Sequence, residues 1–275
     1  MMMQDASARP SLVLPRLARQ GDRAEAGFRT VAEETAVALT YGRSTHAVMM
    51  ASPMALEELG LGFSLTEGLI GEPAEMLSLD VVPRPAGIEL RMELAEHRAA
   101  ALASRRRRLA GPLGCGLCGI ESLEAASRSL PAVADPTRLP ASEIEAGMEA
   151  LSAAQALHRE TRAAHAAGFW RSGEGLVLLR EDVGRHNALD KLAGALARQE
   201  RRGGQGLAAG GALLLTSRVS VEMVQKAAMI GAPLLVAVSA PTALAIRVAE
   251  QCGITLVALA RGACCEIFTH PGRIH

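Results

Sequence analysis

The C-terminal half of the chain alternates short apolar segments with helical segments, and this alternation constrains the possible folds more than any other feature of the sequence. The apolar segments lie at 175–180, 212–216, 233–239 and 254–260. Strands that are apolar along their whole length are buried on both faces, which is typical of βαβ units. The pattern predicts an α/β fold whose C-terminal domain, residues 139–275, has three layers around a mainly parallel sheet.

The rest of the chain is predicted to form three less regular parts. Residues 1–25 show no periodicity and are expected to form a flexible leader. Residues 26–104 are expected to form a smaller, strand-rich mixed α/β region, with a hairpin around Gly42 and a helix that Ser52 caps. Residues 105–138 are expected to form a mobile loop between the two structured regions.

Charge and composition restrict the partners of this 275-residue chain. Its 29 basic and 29 acidic residues balance, its pI is near 7.1, and it has one Trp, one Tyr and four Phe. The sequence offers no general electrostatic or aromatic surface for nucleic acid or membrane, and neither partner is expected. Five cysteines, an odd number, and the lack of a signal-like apolar segment favour a reducing, cytoplasmic location.

Two cysteines, Cys115 and Cys118, stand two residues apart among three glycines. Four consecutive arginines at 105–108 lie just upstream, and a positive field favours thiolate over thiol. Four roles fit this spacing: half of a zinc site, a thioredoxin-like redox pair, a pair without chemistry, and a nucleophilic thiolate that accepts and passes on sulfur. We favour the last role, because a long glycine-rich loop can move a thiol between two partners, whereas a structural metal site requires a rigid loop.

Polar residues follow the predicted strands, where ligands bind in open α/β sheets. These candidate cofactor-binding residues are Asp182, Arg185, His186, Ser217, Arg218, Ser239, Arg261 and Gly262. Arginine side chains and backbone N–H groups at such positions can hold phosphate. A helix is predicted from Ser142 to about Arg159 or beyond, and His158 and His165 are expected on one face of it as ordinary helix residues.

Several segments together resemble the FdhD family, the formate dehydrogenase accessory sulfurtransferases. The resemblance extends from about residue 30 to the C-terminus and rests on residues 49–53, 62–68, 114–121, 181–191, 217–228, 239–242 and 269–271. It implies a C-terminal domain similar to the cytidine deaminase fold, without the zinc chemistry of that fold. It also implies a homodimer.

The resemblance further implies a function and the residues that perform it. Family members take persulfide sulfur from a cysteine desulfurase and deliver it to the molybdenum (or tungsten) bis(molybdopterin guanine dinucleotide) cofactor of formate dehydrogenase. Cys115 would carry the persulfide, with Cys118 as its partner. The cofactor-binding segment of the family matches Leu259, Ala260, Arg261, Gly262, Ala263 and Cys264, and a guanine nucleotide is expected at the same site.

Two points of the resemblance stay open. A second basic residue usually stands at the position of Cys264, so this chain lacks one positive charge in the cofactor-binding segment. The alternative function is a chaperone that binds the molybdenum cofactor for formate dehydrogenase without covalent sulfur chemistry.

Overall fold

The computed structural model of the protein describes residues 9–109, 130–199 and 206–275. Its helices are α1 (Leu56–Thr66), α2 (Glu96–Leu109), α3 (Ala141–Ala154), α4 (Ala156–Thr161), α5 (Arg185–Arg198), α6 (Val221–Met229) and α7 (Ala243–Cys252). Its strands are β1 (Ser11–Gln20), β2 (Arg23–Ala32), β3 (Thr35–Tyr41), β4 (Ser44–Ala51), β5 (Met76–Arg84), β6 (Gly87–Leu94), β7 (His165–Arg171), β8 (Gly175–Asp182), β9 (Ala212–Leu215), β10 (Leu234–Ala237), β11 (Thr255–Arg261) and β12 (Cys264–Ile267). No helix in these ranges is long and apolar enough to cross a membrane.

A six-stranded sheet forms the centre of the C-terminal half, in the order β12-β11-β10-β9-β7-β8. Strands β9, β10 and β11 are parallel, whereas β7 runs antiparallel to β8 and β9, and β12 runs antiparallel to β11. The predicted parallel pairing is therefore confirmed at the centre, and antiparallel hairpins replace it at both edges. The sequence pattern missed β7 because Ala166, Ala167 and Gly168 carry little strand propensity.

Helices cover the central sheet on both faces, which confirms the three-layer prediction. Alternate residues of β9 show the arrangement: Leu213 and Leu215 pack with residues of α5, α6 and α7, whereas Ala212 and Leu214 pack with residues of α3. All four side chains are fully buried. Burial on both faces is why these strands are continuously apolar in sequence.

The N-terminal region has a four-stranded sheet of its own, in the order β4-β3-β6-β5. Strand β6 alternates buried residues such as Leu90 with exposed ones such as Glu93, and α1 packs on the buried face. The predicted hairpin is confirmed as β3 and β4. The predicted helix cap is wrong, because α1 begins at Leu56 after Ala55, and Ser52 bonds to the C-terminal half instead.

Residues 11–32 form a two-stranded antiparallel ribbon of β1 and β2. The prediction of a leader without regular structure is therefore wrong from residue 11 onward. The ribbon contacts the end of α4, where the Arg29 guanidinium donates to the Thr161 carbonyl oxygen at 3.4 Å. Leu17 and Phe28 are largely exposed. Because the ribbon buries few side chains, its sequence shows no alternation of apolar and polar residues from which the strands could be predicted.

Two glycines allow α1 and α5 to touch backbone to backbone. A Cβ atom at Gly62 would lie 1.7 Å from the Asp190 carbonyl oxygen, and one at Gly194 would lie 2.0 Å from the Glu58 carbonyl oxygen. Only a residue without a side chain fits at either position. This contact joins the two sheets, because α1 packs on the N-terminal sheet and α5 on the central one.

Candidate functional site

A cavity of about 640 Å³ opens at the carboxyl ends of the parallel strands. Thr216 follows β9, Val238 follows β10, and Arg261 ends β11, and all three line the cavity. Helices α3 and α4 form the opposite wall with Met148, Leu151, Ser152, Gln155 and His158. The volume lies in the range typical of sites for small molecules and cofactors.

An irregularity in β11 shapes the rim of this cavity. The pairing of β11 with β12 shifts register between Ala258 and Arg261, and Leu259 there has a left-handed φ of 53°. Bulges of this kind redirect side chains beside functional sites. The Arg261 guanidinium donates through Nε to the Val238 carbonyl oxygen at 3.1 Å, which ties the ends of β10 and β11 together.

The predicted cofactor-binding segment lies at this rim. Ala260, Arg261 and Gly262 line the cavity, and Gly262, Ala263 and Cys264 line a smaller one of about 160 Å³ beside it. Cys264 is exposed, whereas its neighbour Cys265 packs against the core between the sheet and α3. Binding of a ligand by this segment stays a prediction.

Two histidines face the cavity from different elements. His158 lies in α4 and His165 begins β7, so the prediction that they share one face of a helix is wrong. The His158 Nδ1 atom donates to the Ala164 carbonyl oxygen at 2.8 Å, which leaves Nε2 as the acceptor when the ring is neutral. Burial lowers the pKa of His165, and the positive charges of Arg185 and His158 lower it further.

The carboxylate of Glu181 fixes α4 in the cavity wall. Glu181 lies in β8, and its carboxylate accepts hydrogen bonds from the backbone N–H groups of Leu157 and His158, both at 2.8 Å. The first N–H groups of a helix have no partner within the helix, so this contact satisfies two of them. Glu181 is only 4% exposed. The cavity wall is therefore anchored to the edge of the sheet by one buried side chain.

Asp182 does not face the cavity, contrary to its prediction as a cofactor-binding residue. It is fully buried and pairs with the Lys191 ammonium, which is also fully buried, at 2.5 Å. The backbone N–H of Ser52 donates to the Asp182 carboxylate at 3.0 Å, and Lys191 donates to the Ser52 carbonyl oxygen at 2.9 Å. Burial lowers the pKa of Lys191, and the Asp182 charge opposes that effect. This pair joins the N-terminal region to α5.

A second buried ion pair involves Asp190, the residue of α5 that directly precedes Lys191. Asp190 accepts from the Lys226 ammonium at 2.9 Å and from the Thr66 hydroxyl at 2.6 Å, and Lys226 also donates to Glu67 at 2.8 Å. Burial raises the pKa of Asp190 against the opposing charge of Lys226. The pair connects α1, α5 and α6.

Arg185 and His186 stand at the start of α5, close to Glu222 at the start of α6. Burial lowers the pKa of His186 to about 4, aided by the positive charges of Arg185 and Lys226 and opposed by Glu222 and Glu67. The imidazole is therefore neutral near pH 7. Its Nε2 atom and the Arg185 Nε atom are buried and have no hydrogen-bond partner within the described residues. The structure thus places these two predicted residues in a polar cluster beside the cavity rather than in its lining.

The remaining predicted residues fall into three groups. Ser217 is buried and its hydroxyl donates to the Arg218 carbonyl oxygen at 3.0 Å, whereas the Arg218 side chain is exposed. Ser239 is half-buried after β10, and its carbonyl oxygen accepts from the backbone of β11. Cys115 and Cys118 lie outside the described residues, as does much of the predicted loop 105–138.

Comparison with known proteins decides the family. The model of the FdhD/NarQ family matches residues 32–275. The chain belongs to the FdhD/NarQ family. The sulfur carrier protein FdhD of Agrobacterium fabrum is 53% identical over 249 residues, 90% of each chain. That of Bordetella petrii is 50% identical over 245 residues, 89% of this chain and 86% of the other.

A solved structure supports the same assignment. A protein from Desulfotalea psychrophila, described as a formate dehydrogenase accessory protein, is similar with a TM-score of 0.73 and 25% identity. The similarity covers 97% of this FdhD/NarQ chain and 100% of the other. The span matched by the family model contains both Cys115 and Cys118 and every residue that lines the cavity.

Sequence reasoning missed two residues of this site in the FdhD/NarQ chain. Gln155 stands where the predicted long helix breaks into α3 and α4, and nothing in the local pattern marks that break. Glu181 is not among the candidate binding residues, although its position one residue before Asp182 places the two side chains on opposite faces of β8. That alternation was the available signal.

Proposed function

We propose that the chain is a sulfur carrier for formate dehydrogenase, an activity in which Cys115 receives persulfide sulfur from a cysteine desulfurase. The observation that carries the proposal is its 53% identity, over 90% of each chain, to a protein named sulfur carrier protein FdhD. In the loading step the Cys115 thiolate attacks the outer sulfur of the desulfurase persulfide. A new S–S bond forms, the old one breaks, and the desulfurase thiolate leaves.

The proposed recipient of the sulfur is molybdenum bis(molybdopterin guanine dinucleotide), held as cargo. The cavity at the strand ends supports this part of the proposal, because the apolar side chain of Met148 lies in its wall and Arg261 stands at its rim. A heterocyclic base can pack on the former and a phosphate can pair with the latter. The arrangement of α5 and α6 after β8 and β9 supports the expected cytidine-deaminase-like fold of this half.

The loading step is tested by mass spectrometry after incubation with a cysteine desulfurase and cysteine. We expect an adduct of roughly 32 Da, one sulfur atom, on the peptide that contains Cys115, removable by a reductant. The adduct should be absent in Cys115→Ala and present in Cys264→Ala, which removes an exposed thiol elsewhere. Both Cys115→Ala and Cys118→Ala should fold normally and fail to activate formate dehydrogenase in a complementation assay. Full activation by both variants would refute the proposal.

The alternative function, a non-covalent cofactor chaperone, predicts that Cys115 carries no sulfur adduct. It is supported by the cavity and its arginine rim, which offer a binding site made of residues within the described part of the chain. No sulfur adduct, together with unimpaired cofactor binding, would favour it. The proposal further includes a homodimer in the cytoplasm. Light scattering of the purified protein tests the dimer by measuring its molar mass in solution.

A further inference from the structure

The ribbon of β1 and β2 carries one face that is apolar and exposed to solvent. Its register places Pro15 opposite Phe28 and Leu17 opposite Ala26, and Val13 stands two residues before Pro15. Alternate side chains of a strand share a face, so these five residues lie on the same side of the ribbon. Phe28 is 72% exposed, Leu17 66% and Val13 64%, and the other two residues are exposed as well.

The opposite face attaches the ribbon to the rest of the chain. Arg29 on that face donates to the Thr161 carbonyl oxygen at 3.4 Å, and its neighbours Ala18 and Val31 are half-buried. The two strands pair only with each other and join neither of the larger sheets. The apolar face therefore points away from the chain to which the ribbon is attached.

A ribbon in this state needs a further partner. A hairpin of two strands is at best marginally stable in water unless another layer packs on it. Exposed apolar patches of about 300–600 Å² are often functional. Side chains of this kind bury on the order of 100 Å² each, so the five together approach that size. They supply a large share of the roughly 800 Å² that each partner buries in a stable interface.

The nature of the face favours a second copy of this chain as the partner. A client protein that binds and leaves would expose the face again after each encounter, whereas a second copy is present wherever the chain is. The five residues include no charged side chain, and permanent interfaces are more apolar than transient ones. A two-fold axis also makes each contact occur twice, which doubles the apolar area that one ribbon provides.

We propose that the apolar face of the β1–β2 ribbon is a dimer interface that packs against a second copy of the chain, with Leu17 and Phe28 at its centre. The inference rests on the proposed function, which includes a homodimer without saying where the two copies meet. It adds the surface and the residues that form the contact.

Hydroxyl-radical footprinting of the full chain over a range of concentrations tests the interface directly. Phe28 and Leu17 are exposed in the single chain, so their oxidation should fall several-fold as the dimer forms. Leu77 on β5, 67% exposed and outside the ribbon, should be oxidised equally at every concentration. Light scattering at the same concentrations gives the mass, which is 28.7 kDa for one chain and should double in the dimer.

Substitutions on the apolar face test the same contact through its affinity. Leu17→Asp and Phe28→Asp each place a charge in the proposed interface and should raise the dissociation constant of the dimer roughly 100-fold. Phe28→Ala adds no charge and should raise it roughly 10-fold. Leu77→Asp is the matched control and should leave it unchanged. Because all three positions are exposed in the single chain, the far-ultraviolet circular dichroism of every variant should match that of the parent chain.

The contrary outcomes can be told apart. A dimer whose mass both Asp variants preserve, or whose Phe28 is oxidised equally at all concentrations, would overturn the inference and leave the homodimer with another interface. A chain that stays monomeric throughout would overturn both. Protection of Phe28 only after formate dehydrogenase is added would also overturn the inference, because the ribbon would then bind a client. The sulfur adduct on Cys115 is measured separately, so the sulfur carrier proposal stands or falls on its own test.

Discussion

Replacing Gly62 by alanine should destabilise the protein by forcing α1 away from α5. The new Cβ atom would lie 1.7 Å from the Asp190 carbonyl oxygen and 2.6 Å from the Gly194 nitrogen, whereas ordinary contact begins at 3.4 Å. Both neighbours are backbone atoms, so no change of rotamer relieves the clash. Overpacking costs about 1–3 kcal/mol or more, and the better helix propensity of alanine returns about 1 kcal/mol. Because the clash is severe, we expect a net loss of about 2 kcal/mol or more.

Gly60→Ala in the same helix is the matched control. Its Cβ atom would meet side-chain atoms only, the nearest being Leu79 Cδ1 at 2.9 Å, and such atoms can move aside. The free energy of unfolding in urea, followed by circular dichroism, should therefore change by less than about 1 kcal/mol in Gly60→Ala. Equal losses in the two variants, or none in Gly62→Ala, would refute the reasoning that the backbones of α1 and α5 are in direct contact.

Three further predictions concern buried polar groups. Asp182→Asn leaves the Lys191 ammonium buried without its charge partner, so it should lower the free energy of unfolding in urea by about 3–5 kcal/mol. The double variant Asp182→Asn, Lys191→Met removes both charges and should recover much of that loss. The folded pKa of His186, about 4, lies below its ordinary 6.5, so the unfolded chain binds more protons between these values. Stability should fall as pH falls through that window, by at most roughly 3 kcal/mol, and a flatter profile is expected for His186→Gln; an unchanged profile would contradict the assignment. Glu181→Gln should lower the free energy of unfolding by about 1 kcal/mol, because an amide caps α4 less well than a carboxylate does. It should also weaken GDP binding, because α4 is then held less firmly. Unchanged stability and affinity would show that Glu181 does not hold the cavity wall.

The sequence was sufficient for the parts of the fold where burial is periodic or complete. Strands β9, β10 and β11 are buried on both faces, and the apolar segments that encode them could be recognised without a structure. Strand β7 could not, because three of its seven residues are Ala or Gly, which carry little strand propensity. The ribbon of β1 and β2 was also missed, since its side chains are mostly exposed and leave no periodic trace.

The candidate site was predictable in part for a topological reason. Residues at the carboxyl ends of parallel strands meet at one edge of the sheet, so the strand pattern puts Arg261 and Gly262 at this edge, where both line the cavity. The same rule also selected Asp182, and there it failed. A polar residue at a strand end turns toward the ligand edge or toward the interior, depending on the partners that other elements offer it. Asp182 turns toward the interior, where Lys191 and the backbone N–H of Ser52 donate to its carboxylate. Those partners lie in other elements and cannot be inferred from residue spacing.

Glu181 and Asp182 give the end of β8 two separate roles. Consecutive side chains of a strand point to opposite faces, so Glu181 reaches α4 in the cavity wall while Asp182 reaches Lys191 and Ser52. The first contact fixes the wall that carries Gln155 and His158, and the second fixes the junction between β4 and α1. A displacement of the N-terminal region would therefore move the strand end that anchors the cavity wall. The N-terminal sheet, which contributes no residue to the lining of the cavity, helps to determine its shape through this single strand end.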